Sequence, residues 1–204
     1  KDLRLDIQKD LDRLFMDGME SEPEGEKHFM DPQRQRTMKS VLFVWSCEHY
    51  PSPSYRQGMH ELLALLILAL ERDARAAQRD DQLAQSLCSE ATLEADAFAL
   101  FEALMEELLP WFHVDEDSSG VSPVLASCNR VQGALLRRFD AQLADQLQTL
   151  GDALSPQLYG VRWLRLLFGR EYPISEVLAL WDALFAISAL HRHDPNEARK
   201  HYLN

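Results

Sequence analysis

Apolar positions recur along this chain at three- and four-residue intervals, the repeat of one face of an α-helix. Leu3, Ile7, Leu11 and Leu14 make the first stripe, with Asp6, Lys9, Asp10 and Arg13 on the other faces. That stripe predicts a helix over residues 2–16. A second helix, over 32–49, has Asp31 as its N-cap and Pro32 at its first position, where the missing N–H does no harm. The apolar string Val41, Leu42, Phe43, Val44 and Trp45 predicts deep burial there, and Pro51-Ser-Pro53 ends the helix. A long helix is expected from about 55 into the 70s, and another near 92–109 closed by Pro110. Further helices are expected near 127–149, 156–168 and 175–190, the last two started by Ser155-Pro156 and Pro173-Ile-Ser175. Neither strand-like alternation between turn pairs nor a fixed-period repeat appears. The fold class is all-α.

Two stretches interrupt the pattern. Residues 17–31 hold six acids against Lys27, together with Gly18, Pro23 and Gly25, and read as an acidic loop. Asp115-Glu-Asp-Ser-Ser-Gly120 is a second acidic joint, which places a boundary between two packed helical lobes near 115–125.

Charge and composition narrow the function. The formal net charge is −12, from 33 acidic against 21 basic residues, which argues against a nucleic-acid surface and gives no pull toward an anionic membrane. At 204 residues and 46% hydrophobic, the chain buries a core without disulfide or metal support. Leu62 to Leu70, the longest apolar run, is nine residues, about half of a bilayer crossing. Lys1-Asp-Leu-Arg-Leu-Asp is charged from the first residue, unlike a secretory leader. Cys47, Cys88 and Cys128 form no Cys-x-x-Cys pair and are expected to be reduced, packed thiols. A soluble, cytosolic protein is the expectation.

The candidate chemistry lies in two short strings. Ile7-Gln-Lys-Asp10-Leu-Asp-Arg13 ends in an arginine, and Tyr55-Arg-Gln57-Gly58 carries a glutamine. An arginine neutralises charge building on phosphates, and a glutamine orients the attacking water, the two things a slow GTPase lacks. Each string has a plainer reading. Asp10 and Arg13 lie three apart on a helix face and suit a solvated ion pair worth about 0.2–0.5 kcal/mol; the same geometry would hold the guanidinium extended for a phosphate. Ser54-x-x-Gln57 suits a capping box. Against that, Gly58 costs a helix start about 1 kcal/mol relative to alanine, which makes sense if another backbone approaches closely there.

A third block makes the pattern specific. Tyr159-Gly-Val-Arg-Trp163-Leu-Arg-Leu-Leu-Phe168-Gly-Arg-Glu171-Tyr-Pro173, followed by Leu180-Trp181-Asp182, resembles the second half of a TBC domain, the Rab GTPase-activating module. The three blocks stand in that family's order over residues 7–182. Residues 55–64, with Phe98 and Pro110-Trp111-Phe112, look nearest to its member-5 branch.

The resemblance implies that Arg13 is an arginine finger and Gln57 a glutamine finger, both catalytic in trans. Asp10, Tyr55 and Gly58 complete their motifs. It implies a Rab-family small GTPase as partner, which brings the GTP and magnesium, so the domain needs no cofactor. It also implies a role in membrane trafficking, in the cytoplasm with peripheral recruitment to endomembranes. By the general scale for arginine fingers, about 10³–10⁵-fold in rate, Arg13 is asked for roughly 4–7 kcal/mol. The domain spans residues 1–204, and its family's earliest helices are expected to be missing before the arginine motif. The acidic 17–31 insert stretches the Arg13–Gln57 separation, and the Asp115–Gly120 joint looks short.

Other constellations are incomplete. His60-Glu61 begins like a zincin helix, but position 64 is alanine rather than histidine. His191-Arg-His193 completes no ligand pattern, so no metal site is expected. Glu102, Glu106 and Glu107 oppose Phe98, Phe101 and Leu104 as the polar side of an amphipathic helix. No phosphate-binding Gly-x-x-x-x-Gly-Lys-Ser/Thr loop is present, so the chain is expected to have no GTPase activity of its own. The alternative to activation is a catalytically silent interaction module of the same fold, binding a GTPase or trafficking proteins.

Overall fold

Asp31 shows how sidechain chemistry sets a helix start. Its Oδ1 accepts from the backbone N–H of Gln33 at 2.9 Å and of Arg34 at 3.0 Å, with Pro32 in the first position. The computed structural model describes residues 2–14, 28–49, 54–77, 82–113 and 121–193, and among these every regular element is a helix. The elements are α1 (Leu3–Leu11), α2 (Pro32–Glu48), α3 (Met59–Ala77), α4 (Gln82–Leu87), α5 (Leu93–Phe112), α6 (Pro123–Arg130), α7 (Leu136–Phe139), α8 (Ala141–Thr149), α9 (Gly160–Arg165) and α10 (Ile174–His193). A π-helical turn, Val131–Leu135, joins α6 to α7, and two short 3₁₀ turns, Gly151–Leu154 and Pro156–Leu158, precede α9.

Helix α3 is the centre. Every residue from Met59 to Leu68 is buried, so this half of the helix is enclosed on all sides rather than along one stripe. It packs most extensively on α5, with α2 and α1 closing the remaining faces. Trp45 from α2 and Phe101 from α5 meet edge to face with centroids 5.5 Å apart. Ile174, Val177 and Trp181 bring α10 back into this same core. Of the helices that follow, α6 and α9 pack on α5 while α7 and α8 pack on each other, and the group buries far less: Val124, Cys128 and Ala144 supply most of it.

Several boundaries differ from the pattern-based expectation. Helix α1 stops at Leu11 because the chain tightens: Arg13 N–H bonds Asp10 O at 3.2 Å and Leu14 N–H bonds Leu11 O at 3.1 Å. Pro110 does not end α5, which runs on to Phe112. A proline near a helix end costs little beyond one hydrogen bond, and the extra turn buries Phe112 to 2% exposure. Arg165 Nε then donates to Trp111 O at 2.7 Å, satisfying a carbonyl at that end. The expected 127–149 helix is broken at Gly133 in the π turn and again at Asp140, whose carboxylate caps α8 through Leu143 N–H at 2.9 Å.

The expected helix 156–168 shrinks to a 3₁₀ turn and α9, ended by Leu167 and Phe168 at φ 45° and 62°. Helix phase exposes Val44 to 42% while Val41, Leu42 and Trp45 are buried, so that string is not buried throughout. Cys128 is packed, but Cys47 is exposed. Of the acidic loop expected over 17–31, residues 17–27 lie outside the described residues, as does the joint Asp115–Gly120; residues 28–30 make a turn that buries His28 and Phe29.

Core burial predicts that Phe101→Ala lowers unfolding free energy by about 3–5 kcal/mol. Leu83→Ala on exposed α4 is expected to change it by no more than about 0.5 kcal/mol. Urea denaturation followed by circular dichroism measures both.

Candidate functional site

The turn that ends α1 lifts Arg13 off the helix face. Leu11 and Leu14 are buried on either side of it, and Asp12 and Arg13 point outward. The Arg13 side chain makes no hydrogen bond or ion pair among the described residues. Gln57 is in the same condition, exposed between buried Tyr55 and buried Gly58. Both line one cleft of about 370 Å³, walled by Asp10, Ser54, Tyr55 and Arg56. Two unengaged side chains, one cationic and one amide, therefore share an opening although 44 positions separate them in the chain.

Neither plainer reading survives in the geometry. Asp10 makes no ion pair with Arg13; its Oδ2 accepts instead from the Tyr55 phenol at 2.7 Å. The Ser54–Gln57 capping box is not formed either, because α3 begins at Met59 and its first bonds run from Glu61 and Leu62 N–H to Gly58 O. Asp10 thus ties the arginine-bearing helix to the glutamine loop rather than aiming the guanidinium directly.

Tyr55 is 8% exposed, and its oxygen also lies 2.9 Å from His60 Nδ1. Burial, then the hydrogen bond and charge of Asp10, push the phenol well above its usual pKa, so it keeps its proton. His60 is pushed down to about 4, by burial first and also by Arg170, with Asp10 pulling the other way; the ring is neutral at pH 7. Burial raises the Glu61 carboxyl, and Arg170 opposes that by donating from Nε to Oε2 at 2.5 Å.

Gly58 has φ +101°, a conformation L side chains rarely adopt. A Cβ there would lie 3.2 Å from Leu166 Cδ2 and 3.6 Å from Phe112 Cε1. The positive φ thus requires glycine, and the close neighbours of the position are this chain's own α5 end and α9 turn. The Arg162–Trp181 block gains a physical role from this. Leu166 presses on the glutamine loop, Gly169 on Leu65, and Trp181 Nε1 donates to Leu167 O at 2.8 Å, holding the left-handed pair in place. Arg170 from the same turn reaches Glu61 in α3. Sequence reasoning named Asp10, Arg13, Tyr55, Gln57 and Gly58, and missed Leu166, Phe112 and Arg170 as their support. It discarded His60 and Glu61 as an incomplete metal motif; two polar residues inside an otherwise apolar helix were the signal available.

A family model described as Rab-GTPase-TBC domain matches residues 2–193. TBC1 domain family member 5 of Mus musculus is 35% identical over 92% of this chain, and its Homo sapiens counterpart 34% identical over 91%. The aligned part is 25% of each of those proteins, so this chain spans about a quarter of their length. GTPase-activating protein gyp1 of Schizosaccharomyces pombe is 25% identical over 78% of the chain and 30% of its own length. The crystal structure of the Ypt/Rab-GAP domain of Gyp1p superposes with a TM-score of 0.58, covering 88% of this chain and 60% of that one at 21% identity, a likeness of fold. Matched almost end to end by that model, and sharing its helical architecture with a solved member, the chain belongs to the Rab-GTPase-TBC domain family.

Proposed function

We propose that this domain accelerates GTP hydrolysis by a Rab-family small GTPase, supplying Arg13 and Gln57 to the partner's active site in trans. The observation that carries this reading is the shared cleft: both side chains line it, and neither is engaged by the chain's own described residues. Family membership supports it, as do the names of its relatives, among them a GTPase-activating protein.

The division of labour follows from the chemistry of the two groups. A guanidinium stays charged and offers a rigid fork of donors, suited to oxygens on a phosphoryl group in transfer. The Gln57 amide has both a donor and an acceptor, which suits it to orient a water against that group. Tyr55, anchored on Asp10, holds the loop at a fixed distance from the end of α1 and forms the wall of the cleft. Gly58 gives the loop its left-handed turn, so that Gln57 projects outward while Met59 begins a buried helix. Nucleotide and magnesium belong to the GTPase in this reading, as the substrate complex. Peripheral recruitment to endomembranes fits it, since no helix among the described residues is long and apolar enough to cross a membrane.

Single-turnover GTP hydrolysis over a panel of purified Rabs tests the proposal. Arg13→Ala is expected to lower the stimulated rate by about 10³–10⁵-fold. Arg13→Lys should fall within about tenfold of Arg13→Ala, because an ammonium lacks the planar fork. Gln57→Ala should cost about 10²-fold or more, and a Rab lacking its own switch glutamine should still respond. Stable binding with no acceleration of any Rab would instead identify a silent interaction module. Separately, Tyr55→Phe strands Asp10 and is expected to cost about 1–3 kcal/mol in urea unfolding, together with part of the stimulated rate.

A further inference from the structure

The loop carrying Gln57 is held by a hydrogen-bond chain whose proton positions can be worked out. The Tyr55 phenol has one proton and two neighbours, Asp10 Oδ2 at 2.7 Å and His60 Nδ1 at 2.9 Å. A carboxylate only accepts, so the phenol proton goes to Asp10. The contact to His60 then needs Nδ1 to be the donor. A neutral imidazole has one N–H, which leaves Nε2 with its lone pair, 3.9 Å from Glu61 Oε1 and beyond hydrogen-bond range. Gly58 N–H points at the same Nδ1 from 3.4 Å, a contact that would need Nδ1 to accept; it is the longer of the two, and the Nδ1–H tautomer gives it up in favour of the phenol. Glu61 has its partner elsewhere: its other oxygen, Oε2, accepts from Arg170 Nε.

We propose that His60, as its Nδ1–H tautomer, is a positioning residue. It donates to Tyr55 Oη, Tyr55 donates to Asp10, and this directional chain locks the Gln57 loop to the end of α1 that carries Arg13. His60 sits one position into α3 and is 3% exposed, so it touches neither the cleft nor anything bound there. It acts through Tyr55. With the imidazole fixed by the buried first turns of α3, the phenol is oriented from behind and its proton is aimed at Asp10 alone. The roles of Arg13 and Gln57 in this account rest on the reading proposed above; the locking of the loop does not.

Three measurements test it. In ¹⁵N-resolved histidine spectra at neutral pH, His60 should appear neutral and protonated at Nδ1, and Tyr55→Phe should shift the proton toward Nε2. A wild-type ring protonated at Nε2 overturns the proposal.

Amide hydrogen exchange at residues 55–58 is the second measurement. His60→Leu should speed it by about tenfold or more, as the loop opens locally. His60→Asn, whose amide nitrogen takes the place of Nδ1, should restore protection; His60→Gln, which mimics Nε2, should not. Unchanged protection in His60→Leu, or equal behaviour of Asn and Gln, overturns the proposal. If His60→Leu fails to fold, the Asn and Gln pair and the tautomer in Tyr55→Phe decide the matter.

The third is stimulated GTP hydrolysis, where His60→Gln should lose about 10- to 100-fold in kcat with KM little changed, and His60→Asn should recover most of it. A chain that stimulates no Rab but shows the tautomer and the exchange pattern retains the positioning role and loses the functional reading.

Discussion

Everything in this molecule is arranged around the complete burial of the first half of α3, Met59 to Leu68. A helix that is apolar on every side must be enclosed, and α1, α2, α5 and α10 enclose it. The enclosure fixes the point where α3 starts, and the glutamine loop is attached there. It also imposes a cost at His60 and Glu61, the two polar residues within the buried stretch. Each meets a partner from outside the helix: Tyr55 at His60 Nδ1 and Arg170 at Glu61 Oε2. The partners come from opposite directions in the chain, so that satisfying two buried polar groups ties the glutamine loop on one side and the α9 turn on the other.

The same economy governs the arginine. A surface ion pair with Asp10 would have held Arg13 weakly and occupied the charge. In the structure the carboxylate is turned inward to a phenol, and the guanidinium has no partner among the described residues. The tightening of α1 at Asp12 contributes to this, because a helix continued regularly would have kept Arg13 on the Asp10 face. A small departure from ideal helix geometry thus determines which residue each side chain meets.

The second half of the chain acts as a brace. Leu166 and Phe112 close on position 58, whose positive φ already disfavours a side chain, and Leu167 and Phe168 adopt positive φ where the chain brings Leu166 there. Strain of this kind persists when the surroundings over-determine it. Here the surroundings are Trp181, bonded to the Leu167 carbonyl, and the aromatic series Tyr159, Trp163, Phe168 and Tyr172, with successive centroids 4.7 to 6.2 Å apart. The signature that marks the family in sequence is, in space, the support of the loop bearing Gln57.

Much was legible from residue order alone. Helical periodicity, the Asp31-Pro32 start and the two short strings established an all-helical fold and named Arg13 and Gln57, because these depend on neighbours within a turn or two. Their convergence on one cleft was not legible, nor was the exchange of partners by which Asp10 leaves Arg13 for Tyr55, 45 positions away. The halt of α1 at Leu11, the passage of α5 through Pro110 and the real reason for Gly58 were hidden for the same cause. Local sequence states what a segment prefers. Which preference is realised depends on the burial of Leu14, Phe112 and Leu166 by distant helices, and that is a property of the packed core only.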